Sequence, residues 1–344
     1  MWKRWMRGVV MSATNEEQIV TTAREAIKSL ALPYDTIVVR IGGEFAAGIA
    51  TSDTRTVVDG LYVVPAREML GVRPTPNSIR RFCDVNGQHI DVLMDDIGHV
   101  LGRIARGEVF GFELLFGGGR DGWMLVDTCA DIDNTFIVGR DLLSDVHVLD
   151  MLNSVRMDCQ RVERTFCGFR FAVDIIRHAL MAFCLAKIGD VVIPLPLQLA
   201  IAGNHIRAST FGGIERFIKR MRSDGMFAEL RRDEQRGESG VVAWIQDITS
   251  ATTVALKERH LPPLPPANAI SRANDFVVEL RERVGREHKH ELQVMTSIGR
   301  MGNDPQVHGL LAAMSLRDII DEDHADVEEM YQRLVCGAGD GGRT

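Results

Sequence analysis

Apolar residues along the chain change their spacing several times, and each change marks an element. Over 15–29 they fall at Ile19, Ala23, Ala26 and Ile27, one face of a helix with a cap expected near Asn15. "TIVVRIGG" (36–43) is a β-branched run halted by glycines, and "GLYVVP" (60–65) is a second strand closed by Pro65. "GQHIDVLMDD" (87–96) alternates, with His89, Asp91 and Leu93 on one face and Ile90, Val92 and Met94 on the other. A helix over about 96–107 follows, then "VFGFELLF" and the turn "GGGRDG". From there the pattern turns mostly helical. Residues 168–187 form a nearly all-apolar helix, "VVIPLPLQL" reads as a rigid extended connection, and 212–223 is amphipathic. "GVVAWIQDI" (240–248) reads as one more strand.

"LPPLPP" (261–266) fits neither helix nor central strand and marks a segment boundary. The expected organisation is a flexible extension over 1–14, a core over 15–150, and a helical domain over 151–260. Residues 261–344 then hold the Pro-rich connector, two or three helices with an acidic stretch, and a flexible "GAGDGGRT" tail. Met11 is an alternative start, which would make 1–10 a translational extension.

Composition narrows the function only by exclusion. The net charge of −7 argues against a general polyanion binder, so nucleic-acid contact would need a local basic patch. No apolar run approaches the roughly 20 residues of a membrane helix, and the basic first residues lack the apolar stretch of a secretory signal. The six cysteines form no C-x-x-C pair, which points to a reducing, cytoplasmic setting without a zinc site. His288 and His290 are two apart and lack the i, i+4 spacing of a zinc helix.

The loop "IGGEFAAGIATSDTRTVVDG" (41–60) joins two strands through small-residue turns, the form of a phosphate-holding loop. Aligned on it, "GEFAAGIATSDTRTVVDGLYVV" resembles the pattern GS-x-A-Y-G-L-A-T-P-x-S-D-x-D-x-x-G-V-Y-V through Gly43, Ala46, Gly48, Ala50, Thr51, Gly60, Tyr62 and Val63. "GEVFGFELLF" is similar to a later GNP…ELL through Gly107, Glu113 and Leu114. "FAVDIIRHALMAFCLAKIGDVVIPLP" keeps Arg177, Gly189 and the Pro194/Pro196 pair of a helix-plus-connection motif, and "HIR" at 205–207 matches a further Ile-Arg. Over residues 36–285 the chain thus resembles the predicted nucleotidyltransferases of the polymerase β superfamily, a group associated with RNA repair and also found in large bacteriophages. The resemblance implies an α+β fold, with a small mixed sheet flanked by helices and then a mainly helical segment. It also implies phosphate held at Gly42, Gly43 and Gly48, and Mg2+ with a nucleoside triphosphate if the chain is active.

The departures from that pattern bear on chemistry. Two magnesium ions need hard oxygen ligands that stabilise the attacking and leaving oxygens together. In this register the turn serine is Glu44, the paired aspartates are Arg55 and Val57, the helix lysine is His99 and the helix histidine is Asp174. Asp91 keeps the third-strand carboxylate and is a catalytic candidate. Asp53 and Asp59 flank the missing pair, and a slipped loop would bring one of them in. Arg55 in turn would pair directly with a phosphate or with Asp91. No metal is expected, with Asp91 a weak candidate ligand.

Asp174, Arg177 and His178 share one face of the apolar helix, as an internal bridge or as a cleft with Arg177 aimed at a phosphate or an acidic partner. In "IERFIKRMR" the core stripe is Ile214, Phe217, Ile218 and Met221. Arg216, Lys219, Arg220 and Arg222, with Arg207 upstream and Arg231 and Arg232 beyond, form the dense basic region. Three readings follow: a degenerate nucleotidyltransferase-fold protein binding nucleotide, RNA or a protein, an active transferase on RNA or another hydroxyl acceptor, or an assembly scaffold. Self-association would run through the C-terminal helices.

Overall fold

The computed structural model describes residues 13–30, 34–51, 54–70, 75–116, 125–164, 168–225, 230, 240–258 and 260–301. The side chains of 13–17, 125–128, 163 and 288–301 are not among those described. The expectations for residues 1–10 and Met11, for Asp53, for Arg231 and Arg232, for the acidic stretch and for the tail lie outside the described residues, as do those for the side chains of Asn15, His288 and His290.

Helix α1 (Ala13–Ser29) precedes β1 (Asp35–Ile41), the one-turn α2 (Gly43–Ala46) and β2 (Thr56–Val63). Next come α3 (Ala66–Met69), the hairpin β3 (Ser78–Val85) and β4 (Gln88–Asp96), α4 (Ile97–Ala105), α5 (Phe112–Phe116) and β5 (Leu125–Thr128). The remainder is helical: α6 (Ile132–Asp141), α7 (Asp145–Arg164), α8 (Phe169–Ile188), α9 (Leu195–Ala202), α10 (Ala208–Asp224), α11 (Val241–Leu256) and α12 (Ala267–Met301). Contacts group the chain into one unit of Met1–Val64 with Pro74–Val278 and another of Pro65–Arg73 with Glu279–Thr344. In the second unit, Leu280 and Val284 of α12 are buried.

The fold is α+β, as expected. The sheet runs β3-β4-β2-β1-β5 and is mixed: β2 and β4 are parallel, and the other pairs are antiparallel. β5 was not foreseen, and neither was β3. Its hairpin turns at Asn86–Gly87, both with positive φ, the requirement of a two-residue hairpin loop. One sheet face carries Val39, Ile41, Val58, Tyr62, Ile90, Val92 and Met94 into a core closed by Ile19, Ala23 and Ala26 of α1. The alternation read in "GQHIDVLMDD" is thereby observed, with Ile90, Val92 and Met94 in this core and Leu93 on the opposite face, where it lines a cleft. Asp96 caps α4 by accepting from the His99 backbone N–H at 3.0 Å.

Two local expectations are corrected. Residues 240–248 form no strand. They open α11, because the buried positions Val241, Trp244, Ile245, Ile248, Thr252 and Ala255 repeat at helical spacing beyond the short window that looked β-like. "VVIPLPLQL" is extended only to Pro194, since Pro196 lies in the first turn of α9, where its missing N–H costs nothing. The Gln198 side-chain amide donates to the Val192 carbonyl at 2.6 Å and so supports the extended part. The apolar helix is observed as α8, buried along most of its length and ended by Gly189 at φ 70°.

Candidate functional site

The site grows from the end of β1. The Gly42 N–H donates to the Val57 carbonyl at 2.8 Å, which folds the glycine turn against β2. Gly43 follows at φ 59°, a conformation strained for any side chain, and starts α2. The far end of this loop is anchored on α9, where the Leu195 N–H donates to the Ala47 carbonyl at 2.9 Å and Pro196 packs on Gly48.

A cleft of about 480 Å3 opens beside that turn. Val57, Asp59 and Leu93 come from β2 and β4, Gly43 and Glu44 from the turn, and Phe112 and Glu113 from α5. From α8 come Arg170, Asp174, Arg177, His178 and Met181, whose spacing is one helix face. Strand register explains the sheet contribution. Asp59 pairs with Arg40 on β1 and with Leu93 on β4, and Val57 pairs with Asp91, so all five lie on the helix-side face.

Asp59 is the carboxylate of the sheet floor. Its side chain lies so close over Gly42 that a Cβ there would overlap it, and it accepts a hydrogen bond from the Gly43 backbone N–H. The turn read as a phosphate nest is therefore filled by the chain's own carboxylate. Burial pushes Asp59 up to about 6 against the opposing pull of Arg40. Arg40, only 1% exposed, is pushed down to about 10 by burial, with Asp59 and then Glu113 as its counter-charges. None of its three side-chain nitrogens has a hydrogen-bond partner.

The cleft walls are charged in pairs. Arg170 meets Glu44 at 2.8 Å, and Arg177 meets Glu113 at 2.6 Å and Asp174 at 3.7 Å. His178 lies 3.8 Å from Glu113. Burial raises Asp174 to about 6 despite Arg177, and burial followed by the Arg177 charge lowers His178. Arg177 is itself buried, and its Nε and Nη1 lack hydrogen-bond partners.

The sequence-derived candidates separate cleanly. Gly42, Gly43, Arg177 and Asp174 gather at the turn and cleft. Arg55 is exposed ahead of β2 and does not line the cleft. Asp91 lies outside the lining, opposite Val57, with Arg80 3.9 Å away. His99 sits in the first turn of α4 with its ring edge-on to Phe110. In the basic region Arg207 is paired with Asp247 at 3.1 Å and Arg220 with Asp224 at 2.8 Å, while Arg216 and Lys219 are exposed on α10. None of these four lines the cleft. Arg222 reaches from α10 to the Gly48 carbonyl at 3.5 Å.

Arg40 and Glu113 were missed as site residues. The signal for Arg40 was a lone charge inside the apolar run "TIVVRI", which is costly unless it serves a site.

The cleft does not fit a pair of magnesium ions. Asp59 is flanked on the same face by Val57 and Leu93, which offer no oxygen, and the Arg40 charge stands beside it on β1. Among the described residues, no three His, Cys, Asp or Glu side chains gather as metal ligands. No described helix is long and apolar enough to cross a membrane.

No protein-family model matches the chain, and no curated protein matches it. Among solved structures, the nucleotidyltransferase-like protein from Exiguobacterium sibiricum 255-15 aligns with 70% of this chain and 75% of its own at 11% identity, with a TM-score of 0.28. A likeness this distant assigns neither family nor activity.

Proposed function

We propose that this chain is a nucleotidyltransferase-like protein that has lost transfer chemistry and keeps its cleft to bind a nucleotide. The observation that carries the reading is the sheet floor, where one carboxylate, Asp59, stands between the aliphatic side chains of Val57 and Leu93. Transfer through paired metals needs several oxygens fixed at this place, and one cannot hold two ions in near-octahedral geometry. The buried guanidinium of Arg177 on the opposite wall supports binding, because Arg presents a planar fork of donors suited to oxyanions. Contact with RNA or a protein through Arg216 and Lys219 would be a separate surface function, since neither residue reaches the cleft.

The test is incubation with each labelled nucleoside triphosphate, Mg2+ or Mn2+ and RNA, alongside equilibrium dialysis of the same nucleotides. Retained nucleotide without label transfer is the expected result. Robust transfer by the native chain, abolished by Asp59→Ala or Asp91→Ala, would overturn the proposal in favour of an active transferase.

A further inference from the structure

The cleft wall carries a buried guanidinium that is short of acceptors. Arg177, 6% exposed, spends only Nη2 on Glu113 and leaves Nε and Nη1 without hydrogen-bond partners. Arg40, on the helix-side face of the sheet, leaves all three nitrogens without partners, and its charge couples to Asp59 and Glu113, both in the lining. Buried polar groups in folded proteins nearly always find partners, so the two nitrogens that Arg177 leaves open in the cleft wall call for a ligand that brings acceptors. Glu113 supplies the acceptor that Arg177 does have, from a half-exposed position on the short helix α5. Its carboxylate stands where a ligand oxyanion would make the same bond, and the side chain is open enough to swing into solvent.

We infer that the cleft takes a single oxyanion, held on Arg177 in exchange for the Glu113 carboxylate, and that its ligand is a nucleoside monophosphate. This rests on the nucleotide-binding reading above and narrows it. Charge limits the phosphate count. Glu44, Asp59, Glu113 and Asp174 face Arg40, Arg170 and Arg177, so the cleft is nearly balanced before any ligand enters. When Glu113 moves out, three carboxylates cancel three guanidiniums, so the cleft has no surplus positive charge to offset a triphosphate, and the open donors of Arg177 serve one phosphate group of roughly −2. The Gly42–Gly43 turn cannot hold further phosphates, because Asp59 fills it. Arg40, beside Asp59 on β1 and outside the lining, contributes only its field, and Arg177 makes the contact.

Isothermal titration calorimetry on the full chain with inorganic phosphate, AMP, ATP and adenosine tests the inference. Phosphate and AMP should bind, with ATP no tighter than AMP. Arg177→Lys keeps the charge but loses the fork, and it should weaken AMP by about tenfold or more. Glu113→Gln, which threatens the fold least, should tighten AMP and phosphate by about tenfold by loosening the group that must leave. The inference falls if neither substitution changes AMP affinity, if ATP binds more tightly than AMP, or if phosphate and AMP fail to bind both the native chain and Glu113→Gln. Equal binding of adenosine and AMP would leave nucleotide binding intact and remove the oxyanion site. AMP binding no tighter than phosphate, with both substitutions acting as expected, would keep the site and remove the nucleotide reading.

Discussion

Asp59→Asn isolates the electrostatics of the cleft floor. Burial and Arg40 pull on this carboxylate in opposite directions, and burial dominates, since the group rises from 3.8 to about 6 in the folded state. A raised folded value means that the folded state holds a proton at a pH where the unfolded chain has released it. Stability should therefore rise as pH falls through 6 toward 4, and be lost as pH rises through that window. At pH 5 Asp59 would be about nine-tenths protonated in the folded state and about one-twentieth in the unfolded chain, whereas at pH 7 both are almost fully ionised. Integrating that difference gives about 1.3 kcal/mol more stability at pH 5 than at pH 7 from this residue alone. Urea denaturation of the native chain and Asp59→Asn at both pH values measures it. The native-minus-variant difference cancels Asp174, which shifts in the same direction, and His147 and His178, which shift oppositely. That difference should move by about 1.3 kcal/mol in favour of the native chain on going to pH 5. An unchanged difference would refute the burial argument, and a change of opposite sign would mean that the Arg40 attraction dominates.

Two further outcomes follow from the same geometry. Val57→Asp combined with Leu93→Asp should raise Mn2+ affinity by about tenfold or more, read by electron paramagnetic resonance, because it adds oxygens on both sides of Asp59; Arg55→Asp should add nothing, since Arg55 lies outside the cleft. Gly42→Ala should cost about 1–3 kcal/mol in urea denaturation by forcing the Asp59 carboxylate off the turn, and a neutral result would show that Asp59 is not seated there.

Period and turn chemistry were enough for β1, β2 and β4 and for the longer amphipathic or apolar helices α1, α4, α8 and α10. The alternation in "GQHIDVLMDD" identifies β4 and assigns its two faces, and the apolar continuity of 168–187 marks α8 as buried. Both follow from local geometry, in which side chains alternate every two residues in a strand and recur every three to four in a helix. The same local view failed at 240–248, where a window of nine residues is too short to separate the two periods, and at Asn86–Gly87, where the hairpin signal was passed over.

The chemistry of the cleft was another matter. That Asp59 rather than Asp91 serves as the carboxylate of the floor depends on the parallel pairing of β2 with β4, which seats Val57 opposite Asp91 and Leu93 opposite Asp59. That Asp59 fills the glycine turn depends on β1 and β2 being antiparallel neighbours, and the partnership of Arg177 with Glu113 joins residues 64 positions apart on α8 and α5. From the sequence alone came three of the five strands, β1, β2 and β4, together with the glycine turn, the buried helix and the absence of an Asp-x-Asp pair at Arg55 and Val57. The tertiary structure alone decided which charges meet and how far burial shifts them, because a charge takes its energy from neighbours and dielectric surroundings assembled by distant segments.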